Sequence, residues 1–244
     1  MKISGLNFSY GDKKIFDDFN LNMPLGKVTC IMGASGGGKT TLLNCISGQL
    51  SYEGQILYGQ NGDNSDDQKG ILYVFQQPRL IPSMTVEKNI EYVLPNTIGK
   101  EQRILRVKEM IDKLQLSDCS DSYPRYISGG QASRASLARA LVVESDILLM
   151  DEPFKGLDIK LKKQIFEILI PLIEGKTVLF VTHDIEEALA MADTVYVLDR
   201  VDGEGVKIVG EADIDKPRSE RDVYSAKLNE IRQKLYRCLT DVTV

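Results

Sequence analysis

The sequence predicts an α/β fold: a mostly parallel sheet covered by helices, with antiparallel β structure at its N-terminal end and a helical insertion near its middle. Three observations carry this. A glycine-rich loop, Gly33-Ala34-Ser35-Gly36-Gly37-Gly38-Lys39-Thr40, separates a buried-strand run (Val28–Met32) from a helix-forming run (Thr41–Ser47) stopped by Gly48. From residue 145 onward strand-like and helix-like runs alternate, the pattern of parallel strands joined by helical crossovers. Between about 77 and 144 the runs are helical.

In chain order, Lys2–Phe8 reads as a strand, Gly11-Asp12 as a turn and Phe16–Met23 as a second, half-exposed strand. Pro24–Lys27 turns into the strand before the loop. Gly54–Tyr58 is a strand, followed by an acidic polar run (Asn61–Gln68) without calcium-site spacing, read as a solvated hairpin tip. Ile71–Phe75 is continuously apolar and reads as a core strand. A helix opens at Thr85-Val86-Glu87, a second has Ile104, Val107, Ile111 and Leu114 on its apolar face, and a third covers Ser133–Val142. Strands at Ile147–Met150, Val178–Val181, Thr194–Leu198 and Val206–Val209 enclose helices at Asp158–Glu174, broken near its end by Pro171, and Ile185–Met191. Tyr224, Leu228, Ile231, Leu235 and Leu239 mark a terminal helix docked on the domain. The chain therefore reads as a single domain, with a core of 1–76 and 145–210, a helical subdomain of about 77–144 and a last helix of about 219–240.

Composition narrows the function. The 244 residues carry a formal net charge of −5, which disfavours a dedicated nucleic-acid binder. No apolar run approaches the roughly 18 residues a membrane span requires. Met1-Lys2-Ile3-Ser4 has no signal-peptide pattern, so any service to a membrane is expected to pass through a partner. Cys30, Cys45, Cys119 and Cys238 form no C-x-x-C pair, and Cys30 and Cys45 read as small buried hydrophobes in a reducing compartment.

The chemistry begins in the glycine loop, which fits G-x-x-x-x-G-K-[ST]. Residues without Cβ atoms let the backbone curl and aim several N–H groups at one anion. Lys39 supplies a point charge for β- and γ-phosphates, and Thr40 offers a hydroxyl to Mg²⁺. The strand Ile147–Met150 then delivers Asp151-Glu152-Pro153. Two adjacent acids ending a buried strand need a cation to neutralise them. Asp151 would hold magnesium through water, and Glu152 would act as general base on the attacking water. Ile127-Ser128-Gly129-Gly130-Gln131 is either a second anion cradle or simply a helix capped by Ser128.

The ordered set G-A-S-G-G-G-K-T, F-Q-Q, I-S-G-G-Q, L-L-M-D-E-P, G-L-D, T-H-D resembles the ATP-binding cassette ATPases, the nucleotide-binding subunits of ABC transporters, over nearly the whole chain. The resemblance implies a P-loop NTPase core, ATP and Mg²⁺ as cofactors, and ATP hydrolysis. It places Gly33, Ala34, Ser35, Gly36, Gly37, Gly38, Lys39, Thr40 and Thr41 on the phosphates, and Tyr10 on the adenine. Gln76 would reach Mg²⁺ and the attacking water, and His183, the sole histidine, would contact the γ-phosphate. Ser128, Gly129, Gly130 and Gln131 would contact ATP bound to a second copy, and Asp158 would run along that interface. Ile127 stands where the family commonly has Leu, and Ala132-Ser133 where polar residues are commoner. The further implications are an ATP-sandwich dimer, a transmembrane permease partner, an indirect solute-binding protein, and a place at the cytoplasmic face of the membrane. Thr182–Asp193 is typical of importer ATPases, and Ile214–Ser219 before the last helix is similar to the nitrate/sulfonate/taurine group. An exporter or lipoprotein-release ATPase and a non-transport cassette are the alternatives.

Overall fold

A computed structural model describes residues 1–59, 70–201, 203–215, 217–222 and 225–240. The acidic run Asn61–Gln68 and Tyr224 lie outside the described residues. β1 (Lys2–Tyr10) and β2 (Lys13–Asn22) form a hairpin around Gly11-Asp12, and β4 (Glu53–Leu57) pairs with the other edge of β1. This gives a three-stranded antiparallel sheet in the order β2-β1-β4. The second sheet contains β3 (Val28–Gly33), β5 (Ile71–Val74), β6 (Ile147–Asp151), β7 (Thr177–Val181), β8 (Thr194–Val201) and β9 (Gly205–Asp213), in the order β5-β6-β7-β3-β8-β9. Its first five strands are parallel, and β9 returns antiparallel along β8. The helices are α1 (Lys39–Ile46), α2 (Val86–Glu91), α3 (Lys100–Lys113), α4 (Gly129–Leu141), α5 (Ile159–Leu172), α6 (Ile185–Met191) and α7 (Ala226–Thr240).

Strand periodicity divides the apolar residues between two cores. Because successive side chains leave opposite faces of a strand, Leu148, Met150, Val178, Phe180, Val195 and Val197 join one core. Their neighbours Ile147, Leu149, Leu179, Val181, Tyr196 and Leu198 join the other. The first core packs under residues of α2 to α7. The second packs against Leu42, Leu43, Cys45 and Ile46 of α1 and the inner residues of β1 and β2. The central strands are thus covered on both faces, which explains their unbroken hydrophobicity.

Two expectations change. Ile71–Phe75 is not a core strand: β5 ends at Val74 and lies at the margin of the larger sheet, with Ile71, Leu72 and Tyr73 half-buried. A continuous apolar run does not reveal position in a sheet, which strand order alone decides. In α3 and its C-cap, Val107, Ile111 and Leu114 are buried but Ile104 is 50% exposed. The first-turn position on the buried face belongs to Arg103, whose guanidinium donates to the carbonyls of Glu91, Leu94 and Pro95. Those carbonyls lie at the end of α2 and in the segment after it, where a helix leaves acceptors unsatisfied. α5 ends at Leu172, one residue after Pro171.

α4 is tied to the segment after β5: Arg139 donates to Arg79 O at 2.9 Å and Pro78 O at 3.1 Å. At the other end of the chain, Arg221 is buried against α6. It donates to the carbonyls of Leu189 and Ile214 at 3.2 Å each and to Ala192 O, and it pairs with Asp193. Burial pushes its pKa down to about 10, against the pull of Asp193. Asp193 also accepts from Val28 N at 2.8 Å and Arg218 Nη1 at 2.5 Å, so one carboxylate joins β3 to the segment leading into α7. Arg221→Met is therefore expected to destabilise the protein by about 3 kcal/mol, because several carbonyls lose a buried donor together and Asp193 loses one of its cationic partners. Urea unfolding midpoints of the two proteins measure this.

Candidate functional site

The parallel strands deliver their C-terminal ends to one edge of the sheet, where ligands of such folds gather. Four adjacent strands contribute: β5 leads to Gln76, β6 ends in Asp151, β7 leads to Thr182 and His183, and β3 leads into the glycine loop. Register places Val181 beside both Asp151 and Ile31, so the acid pair and the loop flank the strand that carries His183.

The loop is locked by its surroundings. Gly33 has φ 147°, and a Cβ there would sit 2.1 Å from Leu198 O, so only glycine lets β8 run this close. Gly38 caps α1 at φ 77°, with Ile15, Phe16 and Val206 around it. α1 has no side-chain cap and no acid in its first turn, which leaves its N-terminal N–H groups and dipole to an anion. Lys39 is buried and curls back, donating to Gly33 O at 2.8 Å and Ala34 O at 2.7 Å. Burial lowers its pKa, while Glu152 and Asp151 pull the other way.

Opposite the loop, Thr40 Oγ1 donates to Asp151 Oδ1 at 3.2 Å. Burial raises the Asp151 pKa, and the neighbouring Glu152 acts in the same sense. Glu152 Oε2 accepts from Gln76 Nε2 at 2.9 Å and lies 2.7 Å from Lys155 Nζ, and Oε1 lies 3.6 Å from His183 Nδ1. Burial works to raise the Glu152 pKa, but Lys155, His183 and Lys39 outweigh it and hold the carboxyl below its ordinary value. Its backbone is left-handed at φ 42°, costly for a residue with a Cβ, and is fixed by Glu152 N donating to Val181 O at 3.0 Å. No cluster of three or more His, Cys, Asp or Glu ligands occurs among the described residues. The hydroxyl of Thr40, the buried carboxylate of Asp151 and the amide oxygen of Gln76 are hard oxygen donors. They fit a magnesium ion that completes its shell with water and phosphate.

Ser128, Gln131, Asp158 and Tyr10 make their contacts outside this set. Ser128 caps α4 in a full capping box: Gln131 N donates to Ser128 Oγ at 3.2 Å, and Ser128 N to Gln131 Oε1 at 2.9 Å. Gln131 Nε2 also donates to Asp118 at 3.1 Å, so this side chain belongs to the helix cap within its own chain. Asp158 caps α5 by accepting from Leu161 N at 3.0 Å. Tyr10 is 51% exposed, edge-on to Phe8. Sequence reasoning missed Lys155. Only its position three residues after Glu152 hinted at the contact.

A family description, ABC transporter, matches residues 16–155, more than half of the chain. The chain belongs to the ABC transporter family. Among its curated relatives is a taurine import ATP-binding protein of Escherichia coli, 38% identical over 203 residues that span 81% of this chain and 79% of the relative. An Fe(3+) ions import ATP-binding protein of Fusobacterium nucleatum is 37% identical over 81% of this chain and 55% of that protein. A sulfate/thiosulfate import ATP-binding protein of Bradyrhizobium diazoefficiens is 38% identical over 82% of this chain and 61% of that protein. The chain thus spans little more than half the length of these last two. A solved dimeric ATP-binding cassette in a post-hydrolysis state, bound to ADP and Pi, superposes with a TM-score of 0.75 at 31% identity, covering 88% of this chain and 99% of that one.

Within this ABC transporter chain, the residues flanking His183 are fixed by a network on α5 and α6, also missed from sequence. Lys162 Nζ lies 2.8 Å from Asp184 Oδ2 and 2.5 Å from Glu187 Oε1. Thr182 Oγ1 donates to Glu187 Oε2 at 2.5 Å and accepts from Asp184 N at 3.1 Å. Burial works to raise the Asp184 pKa, but Lys162 outweighs it and lowers the value. For Lys162, burial works to lower the pKa, and the two carboxylates outweigh it and raise the value. A depressed carboxyl stabilises the fold above its unfolded pKa, about 3.9, and loses that contribution as pH falls through the folded value. A raised ammonium stabilises below its unfolded pKa, about 10.4, and loses that as pH climbs through the folded value. Lys162→Met is therefore expected to cost about 2 kcal/mol between about pH 5 and 10, with a gap to wild type that narrows below about pH 4. Urea midpoints across that range test it.

Proposed function

We propose that this chain is the ATP-hydrolysing, nucleotide-binding subunit of an importer for a small solute. The observation that carries this is Glu152, placed with Gln76 and His183 at the ends of neighbouring strands beside Lys39, Thr40 and Asp151. The N–H groups of Gly36 to Thr41 would receive the β- and γ-phosphates. Lys39 would exchange the carbonyls of Gly33 and Ala34 for phosphate oxygens, and Tyr10 would stack on adenine. Thr40, Asp151 and Gln76 would hold a magnesium ion, which supplies charge to the phosphate oxygens. Glu152 would take a proton from water as that water attacks the γ-phosphorus, and the bond to the bridging oxygen of ADP breaks, giving ADP and phosphate. Gln76 and His183 would orient water and γ-phosphate.

Ser128 to Gln131 lie apart from this set, which supports their use on nucleotide held by a second copy, with Asp158 at the interface. A dimeric structural neighbour supports the same reading. Import, rather than the exporter or non-transport alternative, is supported by the names of the three relatives above, each an import ATP-binding protein. The taurine relative, matched over most of its length, favours the nitrate/sulfonate/taurine group. No helix among the described residues is long and apolar enough to cross a membrane. We assign residues 77–144 to a helical subdomain that meets a transmembrane permease at the cytoplasmic face, with a solute-binding protein on the far side.

Glu152→Gln is expected to lower ATP turnover by at least about a hundredfold. The same variant is expected to dimerise in ATP, read by light scattering. Unchanged turnover would remove Glu152 as the base, and a protein that stays monomeric in ATP would remove the two-copy site. Affinity purification from the native cell is expected to bring down a permease and a solute-binding protein; ribosomes or DNA in their place would overturn import.

A further inference from the structure

Glu152 is gripped by a residue to which none of the sequence motifs assigns a role. Lys155 Nζ lies 2.7 Å from Glu152 Oε2, the same oxygen that accepts from Gln76 Nε2 at 2.9 Å. Lys155 N also donates to Glu152 O at 3.1 Å, closing a tight turn that folds the lysine back over the carboxylate. The other oxygen faces His183. A general base must present a lone pair to the water it deprotonates. Here one oxygen is committed twice, and the cation involved sits on a half-exposed side chain that can swing away.

We propose that Lys155 is a latch on Glu152: it holds the carboxylate and must release it before hydrolysis. The proposal rests on the reading of Glu152 as the base. Two features supply the release. The triphosphate would bring negative charge to the site beside Glu152 and so would compete with Glu152 for Lys155. The loop that carries Lys155 is also held at both ends. Phe154 packs edge-on against Phe166 of α5, with ring centroids 4.7 Å apart. Leu157 lies against Gly130, its Cδ2 3.5 Å from where a Cβ on that glycine would be. A second copy engaging Ser128 to Gln131 would therefore press on the loop that holds the latch. Lys155 acts through Glu152 and is a positioning residue.

Turnover and KM for ATP would be measured on the purified full chain for wild type, Lys155→Met, Lys155→Arg and Glu152→Gln. Removing a half-exposed ion pair is expected to raise kcat roughly two- to fivefold, with KM changed by less than about twofold. Lys155→Arg, which keeps the pair, is expected to stay near wild type. A purely structural role predicts a loss or no change in kcat, not a gain. If Glu152→Gln is inactive and Lys155→Met turns over no faster than wild type, the latch is overturned while the base stands. If Glu152→Gln is as active as wild type, the base reading fails and the latch fails with it.

Discussion

Asp151 ends a strand that is buried along its whole length, and Glu152 follows it directly. The molecule must bring positive charge and hydrogen-bond donors to that point or forfeit the strand. Much of the architecture follows from this need. Strand β7 lies between β6 and β3, which lets the glycine loop, with Lys39 and Thr40, face the acids. Strand β5 lies on the other side of β6, which brings Gln76 within 2.9 Å of Glu152. Asp151 takes its donor from one neighbour and Glu152 takes its donors from others. The two acids consequently have different environments and pKa values displaced in opposite directions.

The sheet that carries these groups is held firmly because its central strands feed both cores. Displacing β7, for example, would disturb Val178 and Phe180 on one face and Leu179 and Val181 on the other. Each such side chain is worth roughly 1.5–3 kcal/mol of burial. The strained backbone of Glu152 depends on the same support. Its N–H is held by Val181 O, so the direction of this carboxylate is set by the adjoining strand as much as by its own.

The parts of the site legible in the sequence were those whose chemistry restricts residue type and spacing together. The glycine loop, Asp151-Glu152 and the alternation of strands and helices are of this kind. What could not be read were contacts that depend on strand order or helix rotation. The marginal position of β5 follows from which strand happens to be last. Ile104 and Arg103 are neighbours in sequence, and only the rotation of α3 decides that the arginine turns inward. Lys155 and Lys162 belong to no motif, because a lysine at those positions is ordinary until the carboxylates it meets are placed. Gln131 shows a different limit: one side chain suits both a ligand contact and a helix cap, and within the single chain it serves the cap.

The bonds from Arg139 to the carbonyls of Pro78 and Arg79 have a mechanical consequence. Ser128 stands at one end of α4 and Arg139 near the other, separated by about 17 Å of helix at 1.5 Å per residue. A helix of this length is a stiff rod, and one end is pinned just beyond Gln76. Tilting the end at Ser128 must shift the loop that bears Gln76, bend the rod or break the pin. The cap at one end of α4 and the segment after Gln76 at the other are therefore joined through one helix, which also packs on α2 and α3.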